Sequence, residues 1–333
     1  MQITEAATTA QNGQSYTQLD LSDIGSLRAA LKNLKDNPTA LQEFDELHAK
    51  LVERYGAESV DQTINRIKEE SERQLPKIIL LDDFMYELIQ EPPRLIDGVL
   101  HKGGVMLVSG AAKTNKSWTA KEICISIAQG NPWLDFSCDP GRVLFVNNEI
   151  KAFTLQKRLR GLMDENALGP VPKGSISLLN LRGVQTDISQ LADSLIETVD
   201  RDQFSAIIID PIYTLLGKRD ENDNGDVKEV GNMLTYVAEM TGAAVIFVHH
   251  HSKGTQGNKR SLERASGAGA WGRFPDSVLD ITLQSEKERL FRMSLTLRDF
   301  EAPDDFLARR IAIGPRWDRS EIRPEELEAD TEA

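Results

Sequence analysis

Residues Gly110–Ala111–Ala112–Lys113–Thr114–Asn115–Lys116–Ser117 read as a phosphate-binding loop with one irregularity. The pattern is G-x-x-x-x-G-K-[ST]. Gly110, Lys116 and Ser117 match it, and Asn115 stands where the second glycine belongs. The flanks agree. The apolar run Val105–Met106–Leu107–Val108 predicts a buried strand, and Trp118 to Ala128 predicts a helix. A strand-to-helix turn aims backbone N–H groups and the positive end of the helix dipole at one point, which suits a triphosphate. Lys116 is placed to reach the β- and γ-phosphates, and the Ser117 hydroxyl to hold Mg²⁺, so ATP and Mg²⁺ are the expected ligands. Asparagine tolerates positive φ better than most residues, so the loop survives the substitution. The alternative is an ordinary turn ahead of a helix; the pattern downstream favours the ligand.

Two later strands end in acids. Ala206–Ile207–Ile208–Ile209–Asp210 is apolar up to its carboxylate, and Asp210 is expected to hold Mg²⁺ through water. Its structural alternative is a cap on the turn before Pro211. Val143–Leu144–Phe145–Val146–Asn147–Asn148–Glu149 places Glu149 at the carboxyl edge of a strand expected beside the loop. There it can orient or deprotonate an attacking water; its alternative is to cap a helix starting at 152. In parallel α/β sheets ligands gather at that edge.

A third strand, Val245–Ile246–Phe247–Val248, runs into His249–His250–His251–Ser252–Lys253. A polar residue there faces the γ-phosphate. Alternation along the strand puts His249 and His251 on one side and His250 on the other. The following Gly-containing loop carries Lys253, Lys259 and Arg260. These cations suit the backbone of single-stranded DNA, or equally a solvated surface.

Around these motifs strands and helices alternate. Strands are expected at 105–109, 142–147, 176–179, 206–210 and 244–249, and helices at 117–129, 152–163, 187–199 and 226–240. A strand pair with hairpin spacing follows near 278–283 and 290–297. This order predicts an α/β fold with a mainly parallel twisted sheet flanked by helices. Upstream, Leu27, Leu31 and Leu34, then Leu41, Phe44, Leu47, Leu51 and Val52, then Val60, Ile64 and Ile67, have helical spacing. The expected organisation is a disordered terminus at 1–20, a helical appendage at 21–75 and a linker at 76–98. An ATPase domain follows at 99–316, then an acidic disordered tail at 317–333. The appendage either packs on the main domain or binds a protein partner.

The 333 residues carry a net charge of −13, unevenly spread. Residues 1–100 hold 10 basic and 18 acidic groups, and residues 321–333 hold one basic and six acidic groups, which leaves 101–320 neutral. A protein that coats DNA through bulk positive charge is excluded, while a local basic loop is not. No run approaches ~18 uninterrupted apolar residues, so no membrane span is expected. The first residues lack a basic segment followed by an apolar core, so no signal peptide is expected. The two cysteines, Cys124 and Cys138, form no disulfide or metal pattern, which suits a reducing cytoplasm.

From about Pro92 to Arg316 the chain resembles the RecA-like ATPases of the plasmid RepA type, kin to the DnaB hexameric helicases and the KaiC/RadA group. The resemblance follows an ordered series. Gly103–Gly104 and the phosphate loop come first, then Asn131–Pro132–Trp133–Leu134 and Pro140–Gly141–Arg142–Val143–Leu144–Phe145. Glu149, Ile209–Asp210–Pro211, Asp220–Glu221–Asn222–Asp223 and His250–His251–Ser252–Lys253 come next. Arg264–Ala265–Ser266–Gly267–Ala268 and Asp276 complete it. The resemblance implies a ring, usually a hexamer, with ATP held between neighbours by Gly110 to Trp118 and Asp210. It implies a role in plasmid or phage DNA replication, with single-stranded DNA in the pore and a replication protein as a possible partner of the N-terminal helices. It also implies Glu149 as general base, His250 or His251 as γ-phosphate sensor, and Arg298 or else Arg264 as a finger to the neighbour's ATP. The chain departs from the family at Asn115 and at Phe300, which interrupts the usual paired basic finger.

Overall fold

A computed structural model of the protein describes residues 23, 26–27, 29–31, 41–72, 78–250, 270–311, 316–322 and 324. The chain divides into two units, Met1–Ile89 and Gln90–Ala333. In the first, helices α1 (Leu41–Tyr55) and α2 (Ala57–Glu72) meet at Gly56, whose φ of +83° is one that L side chains rarely adopt. Leu27, Leu51, Val60 and Ile64 form its small core, with Leu31, Phe44, Leu47 and Val52 packed against them. A short helix, α3 (Leu81–Tyr86), follows.

The second unit opens with a hairpin of β1 (Arg94–Ile96) and β2 (Leu100–His101). A single sheet then takes β3 (Val105–Gly110), β4 (Val143–Asn147), β5 (Ile176–Asn180), β6 (Ala206–Asp210) and β7 (Ala244–Val248). It continues with β8 (Ser277–Ser285), β9 (Leu290–Leu297), β10 (Phe306–Arg310) and β11 (Trp317–Arg319). Their order across the sheet is β11-β10-β9-β8-β3-β7-β6-β4-β5. Strands β3 to β8 run parallel, and β9, β10 and β11 add an antiparallel flank. Helices α4 (Lys116–Gln129), α5 (Ala152–Leu162), α6 (Ile188–Thr198) and α7 (Asn224–Thr241) are the crossovers.

The sheet is covered on both faces, which explains its uninterrupted apolar strands. Side chains alternate between faces. Ile208, Phe145 and Ile246 join Ile123 of α4 and Leu155 of α5 in one core, and Ile207, Ile209 and Phe247 join Leu191 of α6 and Leu234 of α7 in the other. Cys124 and Cys138 are buried, and burial pushes their thiols up to about 12 and about 11, which leaves them inert core residues. Among the described residues no helix is long and apolar enough to cross a membrane.

Three expectations change. Strand β4 does not lie beside β3: β7 and β6 stand between them, because the chain folds outward from β3 and returns. The second unit begins at Gln90 rather than 99, since Leu95 and Ile96 of β1 are fully buried within the segment expected as linker. The ordered chain also continues past 316, where Trp317 of β11 is buried against the core.

Candidate nucleotide site

The loop between β3 and α4 is built around Lys116. Its ammonium donates to the Gly110 carbonyl at 2.7 Å and the Ala111 carbonyl at 2.6 Å, and the residue is only 2% exposed. Gly110 has φ +150°, and a Cβ there would lie 2.5 Å from the Ile281 carbonyl oxygen, so only glycine fits. Lys113 and Asn115 take the left-handed conformation at φ 69° and 67°. Asn115 also starts α4: its carbonyl accepts from the Trp118 and Thr119 amides at 2.9 and 3.0 Å. A helix N-terminus that carries an ammonium is suited to an anion. Burial pushes the Lys116 ammonium down to about 8, against the pull of Asp280 and Asp210. At pH 7 it is still mainly charged.

Beside the loop two oxygen ligands converge. The Ser117 hydroxyl donates to Asp210 Oδ1 at 2.7 Å, although β7 separates the strand leading to Ser117 from the strand that ends in Asp210. Hydroxyl and carboxylate oxygens are the donors a magnesium ion selects, so the residues present fit that metal. Asp210 Oδ2 is taken at 2.6 Å by Lys121 Nζ, a contact not foreseen from the sequence. Lys121 also donates to the Ser117 carbonyl at 2.8 Å and lies 5.0 Å from the centre of the Phe145 ring.

Glu149 is exposed just past the end of β4, at the carboxyl edge it shares with Asp210. Asn147 Nδ2 donates to the Ile150 carbonyl at 2.7 Å and Asn148 Nδ2 to the Pro211 carbonyl at 2.9 Å, which pins the turn that projects Glu149. Burial raises the Tyr213 pKa, and Glu149 and Asp210 raise it further. The His250 ring lies edge-on to Tyr213 at 5.9 Å. His249 points the other way, buried and stacked on Trp271 at 4.3 Å.

Trp118 leaves the loop and packs between Arg158 and Arg310, each 5.2 Å from its ring centre. Arg298 is not brought to the loop. Strand β9 runs antiparallel to β8, so its last residue pairs with Ser277, level with Met106 at the start of β3. The length of β3, about 16 Å at ~3.3 Å per residue, separates Arg298 from the loop. There it donates to Asp276 at 3.3 Å and to the Arg273 carbonyl at 3.0 Å. His251, Lys253, Lys259, Arg260 and Arg264 lie outside the described residues.

Sequence reasoning missed Lys121, Tyr213 and Asp280. Lys121 had a signal: it stands four residues after Ser117, on the same helix face. Asp280 is a carboxylate inside the apolar run Val278–Ile281, paired with Ser109 of β3. Tyr213 had no signal beyond its closeness to Asp210.

Two solved structures are similar in fold. The KaiC-like protein PH0186 from Pyrococcus horikoshii OT3 is 14% identical, covers 69% of this chain and 95% of its own, and has a TM-score of 0.47. The second is the ATPase domain of another protein; it is 12% identical, covers 66% of this chain and 86% of its own, and has a TM-score of 0.49. No curated protein matches the sequence. The family profile described as AAA domain matches residues 67–256. That match takes in the loop, Lys121, Glu149, Asp210 and His250 and spans more than half of the chain, so the protein belongs to the AAA domain family.

Proposed function

We propose that this AAA-type ATPase binds and hydrolyses ATP at residues 110–118 as an ATP-driven, DNA-dependent ring of RepA type that acts on single-stranded DNA in plasmid or phage replication. The observation that carries the ATP reading is the 2.7 Å contact of Ser117 with Asp210 beside a loop closed around Lys116. In this reading Lys116 binds the β- and γ-phosphates, and Ser117 and Asp210 hold Mg²⁺, which neutralises charge on the phosphate oxygens. Glu149 orients a water and takes its proton as the water attacks the γ-phosphorus and the bond to the β,γ-bridging oxygen breaks, releasing ADP and phosphate. His250, packed on Tyr213, senses the γ-phosphate, with His251 its neighbour.

Arg298, about 16 Å from its own loop along β3, can serve only the ATP of an adjacent copy, with Arg264 the other candidate. Lys253, Lys259 and Arg260 contact DNA phosphates in the pore. The helical unit of residues 1–89 supports a second reading, a regulatory ATPase whose nucleotide state gates a protein partner.

The test is ATP turnover by the wild type and by Glu149→Gln, with and without single-stranded DNA. The variant keeps nucleotide binding and loses turnover by about 10²–10⁴-fold. Stimulation of the wild type by DNA supports the motor. Turnover indifferent to DNA supports the regulatory reading, and a Glu149→Gln loss below about tenfold removes Glu149 as the base.

A further inference from the structure

Asp210, read above as a magnesium ligand, already has a cation. Its carboxylate is 4% exposed, and its two oxygens are divided: Oδ1 accepts from the Ser117 hydroxyl at 2.7 Å and Oδ2 from Lys121 Nζ at 2.6 Å. Lys121 is itself fully buried. Its ammonium is fixed by three partners: Asp210, the Ser117 carbonyl one helical turn back, and the face of Phe145. A lysine so enclosed cannot swing out to water, so its charge stays on Oδ2.

Two consequences follow from that position. Fixing Oδ2 turns Oδ1 toward Ser117 and the loop. The ammonium also cancels most of the carboxylate's charge at close range, so a divalent cation arriving there gains less attraction and meets a positive neighbour. Resting on the nucleotide-site reading above, we propose that Lys121 is a positioning residue for Asp210 that makes nucleotide binding at this loop only weakly dependent on Mg²⁺. A lysine that merely offset a buried charge for stability would leave the magnesium dependence of binding unchanged when replaced.

The experiment measures the Kd of a fluorescent ATP analogue for the full chain in excess Mg²⁺ and in EDTA, and takes the ratio of the two. Wild type gives a ratio of about tenfold or less, because Lys121 balances Asp210 in either condition. Lys121→Met raises the ratio by about tenfold or more, Lys121→Arg restores it, and adding Asp210→Asn to Lys121→Met abolishes the rise. An unchanged ratio in Lys121→Met overturns the proposal. Should that variant not fold, the wild-type ratio decides alone: a loss clearly above about tenfold in EDTA overturns the proposal, and a loss of about tenfold or less upholds it. Failure of the wild type to bind the analogue in both conditions instead removes the nucleotide-site reading itself.

Discussion

Lys121 and Glu122 are neighbours on one helix, and each is buried against an opposite charge far away in sequence. Their pairs do different things. Successive residues on a helix point about 100° apart, so Lys121 reaches inward to Asp210 at the carboxyl edge of β6 while Glu122 reaches sideways to Arg310 of β10. The Glu122 pair is closed. Glu122 accepts from Arg310 at 2.9 Å and from the Trp317 amide at 2.9 and 3.1 Å, and the Trp317 indole donates to Thr119 at 2.9 Å. The Arg310 guanidinium lies 5.2 Å from both the Trp118 and Trp317 rings. Apart from Trp118, these partners lie outside residues 110–118, and the network ties the antiparallel flank to α4. The Lys121 pair is open, because Asp210 also holds Ser117 of the phosphate loop. Burial and pairing are the same in both; connection to the loop separates a site from a clamp.

Breaking the clamp therefore affects stability and spares the site. Arg310→Met leaves Glu122 buried without its cation, which typically costs about 3–5 kcal/mol. Chemical denaturation should show that loss, while the folded fraction keeps the wild-type Kd for the ATP analogue. A large change in that Kd at full folding would make the clamp part of the site and erase the distinction.

A smaller effect sharpens the contrast through pH. Burial, opposed by Arg310 and the Trp317 amide, pushes Glu122 up to about 7 from an ordinary 4.5. The folded chain then holds more protons than the unfolded chain between these values. The contribution of Glu122 to stability is fully present below about pH 4.5 and is lost as pH rises through about 7. Denaturation at several pH values should show this decline in the wild type, and Glu122→Gln should remove that part of the slope. An equal decline in the variant would assign it to another group.

The parts of the fold visible in the sequence are those where one requirement dominates. Strands β3, β4, β6 and β7 are buried on both faces, so their residues are nearly all apolar and their limits fall close to the expected ones. The loop is visible because Gly110, Lys116 and Ser117 each meet a demand no other residue meets as well. Strand β10 was hidden because Phe306–Leu307–Ala308–Arg309–Arg310 places two arginines in a five-residue strand, and one of them is buried only by virtue of Glu122. Such a pairing spans 188 residues and leaves no local pattern. The same limit hid Lys121, whose partner is 89 residues away. Arg298 was legible as the residue after a strand, but its edge of the sheet depends on β9 running antiparallel to β8, a fact of pairing that composition does not carry.

The central claim is that the loop of residues 110–117 holds ATP through Lys116. Its most direct test is the affinity of the full chain for a fluorescent ATP analogue, compared between the wild type and Lys116→Ala at pH 7, with folding checked by circular dichroism. Removing the ammonium leaves phosphate charge without its partner, so the account predicts a folded variant whose affinity falls by about a hundredfold or more. Wild-type affinity in a folded Lys116→Ala chain would contradict it.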